Sequence, residues 1–134
     1  MILWIDDDNA LSLMSYIDEL EEGGLEVVHI RVPDQMGDAI EARRNRIQAI
    51  IMDILMPTGN LIDIGEARQG YRTGLVLLKR LKEDSRYATI PVLIFTILSN
   101  QEVKEWAARY KVPLLLKQET TPQQLCAAIK DLLV

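Results

Sequence analysis

Four short apolar runs, each ending on a polar side chain, constrain this chain more than any other feature. Ile2-Leu3-Trp4-Ile5 ends in Asp6-Asp7-Asp8, and Ala49-Ile50-Ile51-Met52 ends in Asp53. Val92-Leu93-Ile94-Phe95 ends in Thr96, and Val112-Pro113-Leu114-Leu115-Leu116 ends in Lys117. Apolar runs this short read as strands buried on both faces, which is the habit of a parallel sheet. Leu25 to Val32, rich in β-branched residues, is a further strand candidate. In a parallel sheet the polar ends emerge along one edge, so acids and a lysine far apart in sequence converge.

Helical patterns separate the runs. Asn9 to Glu22 carries Leu11, Met14 and Ile17, or Leu13, Ile17 and Leu20, at helical spacing, with Asp8 or Asn9 as cap and Gly23-Gly24 as a left-handed end. Pro33-Asp34 starts a second helix to about Arg46, with Met36 and Ile40 inward; Gly37 lies inside it and its apolar face is thin. Thr73-Gly74 leads into Leu75, Leu77, Leu78 and Leu81. Ser99-Asn100-Gln101-Glu102 and Thr121-Pro122-Gln123-Gln124 read as capping boxes of the last two helices. Strand and helix thus alternate five times, which implies an α/β doubly wound parallel sheet with helices on both faces.

At 134 residues the chain suits one domain, 1–134. No apolar stretch approaches the roughly 18 residues of a membrane span, and no signal peptide is expected. The single cysteine, Cys126, excludes an internal disulfide and fits a small core residue. A net charge of −5 argues against direct nucleic-acid binding.

The converging edge offers Asp6, Asp7, Asp53, Thr96 and Lys117. Packed carboxylates repel, and some would stay protonated without compensation. A hard divalent cation such as Mg²⁺, which uses a few carboxylates and keeps several waters, removes the conflict. An ammonium and a hydroxyl beside it suit a bound phosphoryl group, and Asp53 is the natural nucleophile for an acyl phosphate. Taken singly, each residue has a plainer explanation. Asp53 could be a turn residue, the three aspartates could cap a helix, and Lys117 could be a solvated charge. His29, on the second strand, reads as structural or surface.

With Asp6-Asp7, Asp53-Ile54-Leu55-Met56-Pro57, Phe95-Thr96 and Lys117, the chain resembles the receiver domains of two-component response regulators over essentially its whole length. That resemblance implies a five-stranded flavodoxin-like (βα)5 fold with strand order 2-1-3-4-5. It implies phosphorylation of Asp53 by a sensor histidine kinase or phosphotransfer protein, with Mg²⁺ held by Asp6, Asp7, Asp53 and the Leu55 carbonyl. Thr96 and Lys117 would bind the phosphoryl group. Such a domain is a switch rather than a metabolic enzyme, performing only self-phosphotransfer and slow self-dephosphorylation. It would be cytoplasmic, with output to an unidentified protein, or a homodimer, through residues 99–133.

The chain also departs from that family. Ile97 stands where a small residue is usual, Gln118 where proline is, and Leu114 where an aromatic switch residue is. Bulky Leu55 and Ile97 beside the phosphoryl group would hinder an attacking water and prolong the phosphorylated state. Pro57 and Gly74 are 17 positions apart, so roughly 13 residues are inserted, within 58–72. Glu66, Arg68 and Arg72 of this segment are expected to border the acidic pocket and shape access, unless the segment is a mobile surface insertion. A receiver-like interaction module that signals independently of phosphate is the alternative function. A phosphatase of the haloacid-dehalogenase type, with Asp6 as nucleophile, would need more chain.

Overall fold

The computed structural model describes residues 1–43, 45–60, 62–68 and 70–134. Its elements run β1 (Ile2–Ile5), α1 (Ala10–Glu22), β2 (Val27–Ile30), α2 (Met36–Arg43), β3 (Ala49–Met52), α3 (Thr73–Glu83), β4 (Val92–Thr96), α4 (Gln101–Tyr110), β5 (Leu114–Leu116) and α5 (Pro122–Leu132). All four strand pairings are parallel, and the sheet order is β2-β1-β3-β4-β5. This is the α/β flavodoxin-like fold and strand order that the alternation and the resemblance imply.

Each strand feeds both faces by its period of two. Leu3, Ile5, Ile50, Met52 and Ile94 pack against α2, α3 and α4. Ile2, Trp4, Ile51, Leu93 and Phe95 pack against α1 and α5. Burial on both faces explains why β1, β3 and β4 read as continuous apolar runs. On α1 the inward stripe is Leu13, Ile17 and Leu20, while Leu11 and Met14 are exposed. Asn9 caps this helix by accepting from the Ser12 N–H at 2.8 Å, and of the two glycines only Gly24 is left-handed.

Several expected boundaries shift. β2 and β5 are shorter than 25–32 and 112–116, and α2 ends at Arg43 after a 3₁₀ turn at Pro33–Gln35; Arg44 lies outside the described residues. The capping box at Ser99 does not form. Asn100 is the cap, accepting from the Val103 N–H at 2.9 Å. Glu102 turns instead to Arg72, which donates to it at 2.8 Å. The box at Thr121 does form, with both reciprocal bonds.

The segment 58–72, apart from residues 61 and 69 outside the description, is tied down at several points. The Met56 N–H donates to the Gly70 carbonyl (3.2 Å), and the Thr73 hydroxyl to the Met56 carbonyl (2.6 Å). Asp34, in the turn before α2, accepts from the Asn60 N–H (2.9 Å). Ile62 and Ala67 are buried with the α2–α3–α4 core. Apolar anchors and satisfied backbone groups are not the features of a mobile surface insertion.

Candidate functional site

β1 and β3 are hydrogen-bonded neighbours, so Asp6 and Asp53 leave the sheet side by side. The Asp53 N–H donates to the Ile5 carbonyl at 3.0 Å, which fixes that register one residue past the strand. Asp6, Asp7 and Asp53 each offer a carboxylate oxygen, all within 4.8 Å of one another. Asp6 is fully buried and Asp53 nearly so, whereas Asp7 is partly exposed.

Lys117 follows β5, two strands away from β3, and its side chain reaches back across the strand ends. Its ammonium lies 2.7 Å from Asp6, 3.0 Å from Asp53 and 3.0 Å from Asp8. Tyr16 of α1 fixes the backbone beyond this lysine by donating to the Thr120 carbonyl (2.8 Å), and the Thr120 hydroxyl donates to the Leu116 carbonyl (2.7 Å). Asp53 uses its other carboxylate oxygen to accept from the Ile54 N–H (2.7 Å). Asp6 accepts from the Asp8 N–H (2.9 Å) and, at 3.4 Å, from the Trp4 indole.

The electrostatics follow from crowding. Burial first, and the Asp53 charge second, push the Asp6 carboxyl above its ordinary range. Burial, then Asp53 and Asp8, raise Asp7. Burial alone would lower Lys117, but Asp53 and Asp6 outweigh it and raise the ammonium. One ammonium thus offsets only part of the negative charge. The surplus, in hard oxygen donors at this spacing, fits a divalent cation of the Mg²⁺ class.

Thr96 is fully buried at the end of β4, on the neighbouring strand, and its hydroxyl oxygen accepts from the Leu98 N–H at 3.2 Å. Leu55 lines a shallow cleft of about 280 Å³ with Asp7, Met56, Pro57 and Gly70. Among the described residues of the inserted segment, Gly70 lines this cleft beside Asp7. Glu66, Arg68 and Arg72 go elsewhere, against expectation. Arg72 pairs with Glu102 of α4 at 2.8 Å and stacks 5.4 Å from the Trp106 ring centre. Arg68 lies 3.9 Å from Glu102, and Glu66 lies 3.4 Å from Arg80 of α3. Opposite charges on α3 and α4 draw them away from the acids. Ile97 is exposed, and its carbonyl accepts from the Gln118 amide at 3.3 Å.

Three side chains take parts that sequence did not assign to them. Asp8, read as a possible helix cap, holds Lys117 at 3.0 Å. His29, read as structural or surface, reaches the Asp6 carbonyl at 2.8 Å. Tyr16 anchors the backbone beyond Lys117.

No protein-family model matches the chain, and no curated protein matches it in sequence. Solved structures do. A Chloroflexus aurantiacus protein assigned as a response regulator shares 26% identity at a TM-score of 0.73, over 98% of this chain and 96% of that one. The chemotaxis protein CheY4 of Vibrio cholerae shares 23% at 0.70, over 98% and 96%. The BeF3-activated receiver domain of Klebsiella pneumoniae RstA shares 19% at 0.74, over 98% and 97%. Likeness of this extent, along nearly the full length of both partners in each of these three structures, shows that the chain has the fold of the response-regulator receiver domains it is similar to.

Proposed function

We propose that the chain is a phosphorylation-controlled switch, in which Asp53 accepts a phosphoryl group from the phosphohistidine of a sensor kinase or phosphotransfer protein. The observation that carries this reading is the Lys117 ammonium at 3.0 Å from the Asp53 carboxylate, with Asp6 and Asp7 beside it. In the reaction an Asp53 oxygen attacks phosphorus and the P–N bond breaks. The imidazole leaves with the bond's electron pair and takes up a proton. Asp6, Asp7, Asp53 and the Leu55 carbonyl would hold Mg²⁺, which when bound supplies positive charge to the phosphoryl oxygens.

This chain's own residues contribute positioning. Lys117 stands ready to pair with a phosphoryl oxygen, and the Tyr16 anchor limits its travel. Thr96, whose oxygen accepts from the Leu98 N–H, would donate its hydroxyl proton to a phosphoryl oxygen, and movement of Thr96 toward that oxygen would draw the loop after β4, and so α4, with it. Output then passes to a protein partner through residues 99–133. The test is phosphotransfer from radiolabelled histidine kinases. Label should pass to the wild type and not to Asp53→Asn; failure with every kinase and small phosphodonor would refute it.

One observation favours the second reading, a phosphate-independent interaction module. Lys117 already bonds three carboxylates, so the site is partly neutralised from within. Partner binding that survives Asp53→Asn unchanged would select it.

A further inference from the structure

The ladder between β1 and β2 ends at the pair Ile5 and Ile30, after which the Asp6 N–H still donates to the Ile30 carbonyl at 3.0 Å. The next two carbonyls are taken by side chains. His29 Nε2 lies 2.8 Å from the Asp6 carbonyl oxygen. A carbonyl only accepts, so Nε2 is the protonated nitrogen. Arg31 closes on the Asp7 carbonyl with two nitrogens, Nε at 3.1 Å and Nη2 at 2.8 Å. His29 lies in β2 and Arg31 one residue past its end, and both side chains reach the carbonyls that follow β1.

Fixing these carbonyls fixes two successive peptide planes. Those planes set where the Asp7 and Asp8 side chains point. Left to electrostatics, Asp7 would swing outward, because it is the least buried of three mutually repelling carboxylates. We propose that His29 and Arg31 are positioning residues that hold the Asp6–Asp7 turn in the conformation a divalent cation requires. The proposal rests on the reading of the acid cluster as a Mg²⁺ site.

The role has a sign that distinguishes it from simple charge. Arg31 is a cation near the site, and by Coulomb's law alone its removal would tighten Mg²⁺ binding. Positioning predicts the reverse. Loss of a partner that orients metal ligands costs about tenfold or more in affinity. The experiment titrates the full chain with Mg²⁺ alone and follows the Trp4 indole N–H resonance, since this group lies 3.4 Å from the Asp6 carboxylate. Arg31→Met and Arg31→Lys should both weaken binding about tenfold, with thermal melting of the metal-free protein unchanged. His29→Ala should weaken it, and His29→Gln, whose amide can still donate, should restore most of the loss. Tighter binding in Arg31→Met with no change in Arg31→Lys would make Arg31 a mere charge and overturn the proposal. Unchanged affinity in all four variants would overturn it equally. If the wild type itself binds no Mg²⁺, the metal-site reading fails first and the positioning role falls with it.

Discussion

A β-carbon at Gly74 would stand 2.0 Å from the Asp53 carbonyl oxygen and 2.6 Å from the Ile54 Cα. The first turn of α3 is therefore seated against the backbone that carries the candidate phosphoacceptor, and the Gly74 N–H donates to the Ile54 carbonyl at 2.9 Å. Neither neighbour is a flexible side chain, so Gly74→Ala must displace backbone. It should cost about 1–3 kcal/mol, as overpacking does, and weaken Mg²⁺ binding at the same time. Urea denaturation and a metal titration on one sample check both. A Gly74→Ala variant of wild-type stability would contradict the close packing.

The acids set a pH dependence. Burial, with Asp53 as the second cause, raises Asp6 and Asp7 above their ordinary value of 3.8 in the folded chain. The stability they contribute is complete below that value and is lost as pH rises through the raised values. Lys117, also raised in the fold, acts with the same sign in a higher window: its contribution is intact below its ordinary 10.5 and is lost only as pH rises beyond it. The metal-free protein should accordingly lose stability as pH rises above 3.8, the ordinary value of these carboxyls. Asp7→Asn should melt higher than wild type at pH 7 without metal and gain less from added Mg²⁺. Thermal melts across pH, with and without Mg²⁺, measure this; a lower melting temperature for Asp7→Asn would contradict the like-charge account.

Arg72 should matter to α4 rather than to phosphotransfer. Its pair with Glu102 and its stacking on Trp106 are partly exposed contacts, worth together on the order of 1 kcal/mol. In Arg72→Met, hydrogen exchange should quicken in α4 while the rate of Asp53 phosphorylation stays the same. Unchanged exchange would show that the segment 58–72 does not brace this helix.

Exposed Ile97 and half-buried Leu55 flank the strand ends that carry Thr96 and Asp53. Apolar bulk there would hinder a water approaching an acyl phosphate on Asp53. The phosphorylated state should outlast seconds, and Ile97→Ala should shorten it. Decay followed by intact mass after removal of the donor decides; a wild-type half-life of seconds would contradict the shielding.

How much of this was legible before coordinates depends on whether the cause was local. The ends of β1, β3 and β4 could be read because burial on both faces writes an unbroken apolar run that stops at the polar residue. The Thr121 box could be read because both of its partners lie within one turn. The Ser99 box failed because Arg72, thirty positions away, competes for Glu102 and leaves the cap to Asn100. The face of α1 was ambiguous in sequence and was settled by the sheet and α5 beneath it. The segment 58–72 showed no period because its order comes from scattered anchors, Asp34 to Asn60 and Met56 to Gly70, that leave no repeat. His29 passed as structural because a carbonyl partner leaves no trace in sequence.

Asp53 should take a phosphoryl group in a Mg²⁺-dependent reaction. Intact mass spectrometry after incubation with a small-molecule phosphodonor measures this most directly. With Mg²⁺, the wild type should gain the mass of one phosphoryl group; chelation of the metal, or Asp53→Asn, should abolish the gain. A wild type that gains no mass under any condition, or an Asp53→Asn variant that gains it equally, would contradict the account.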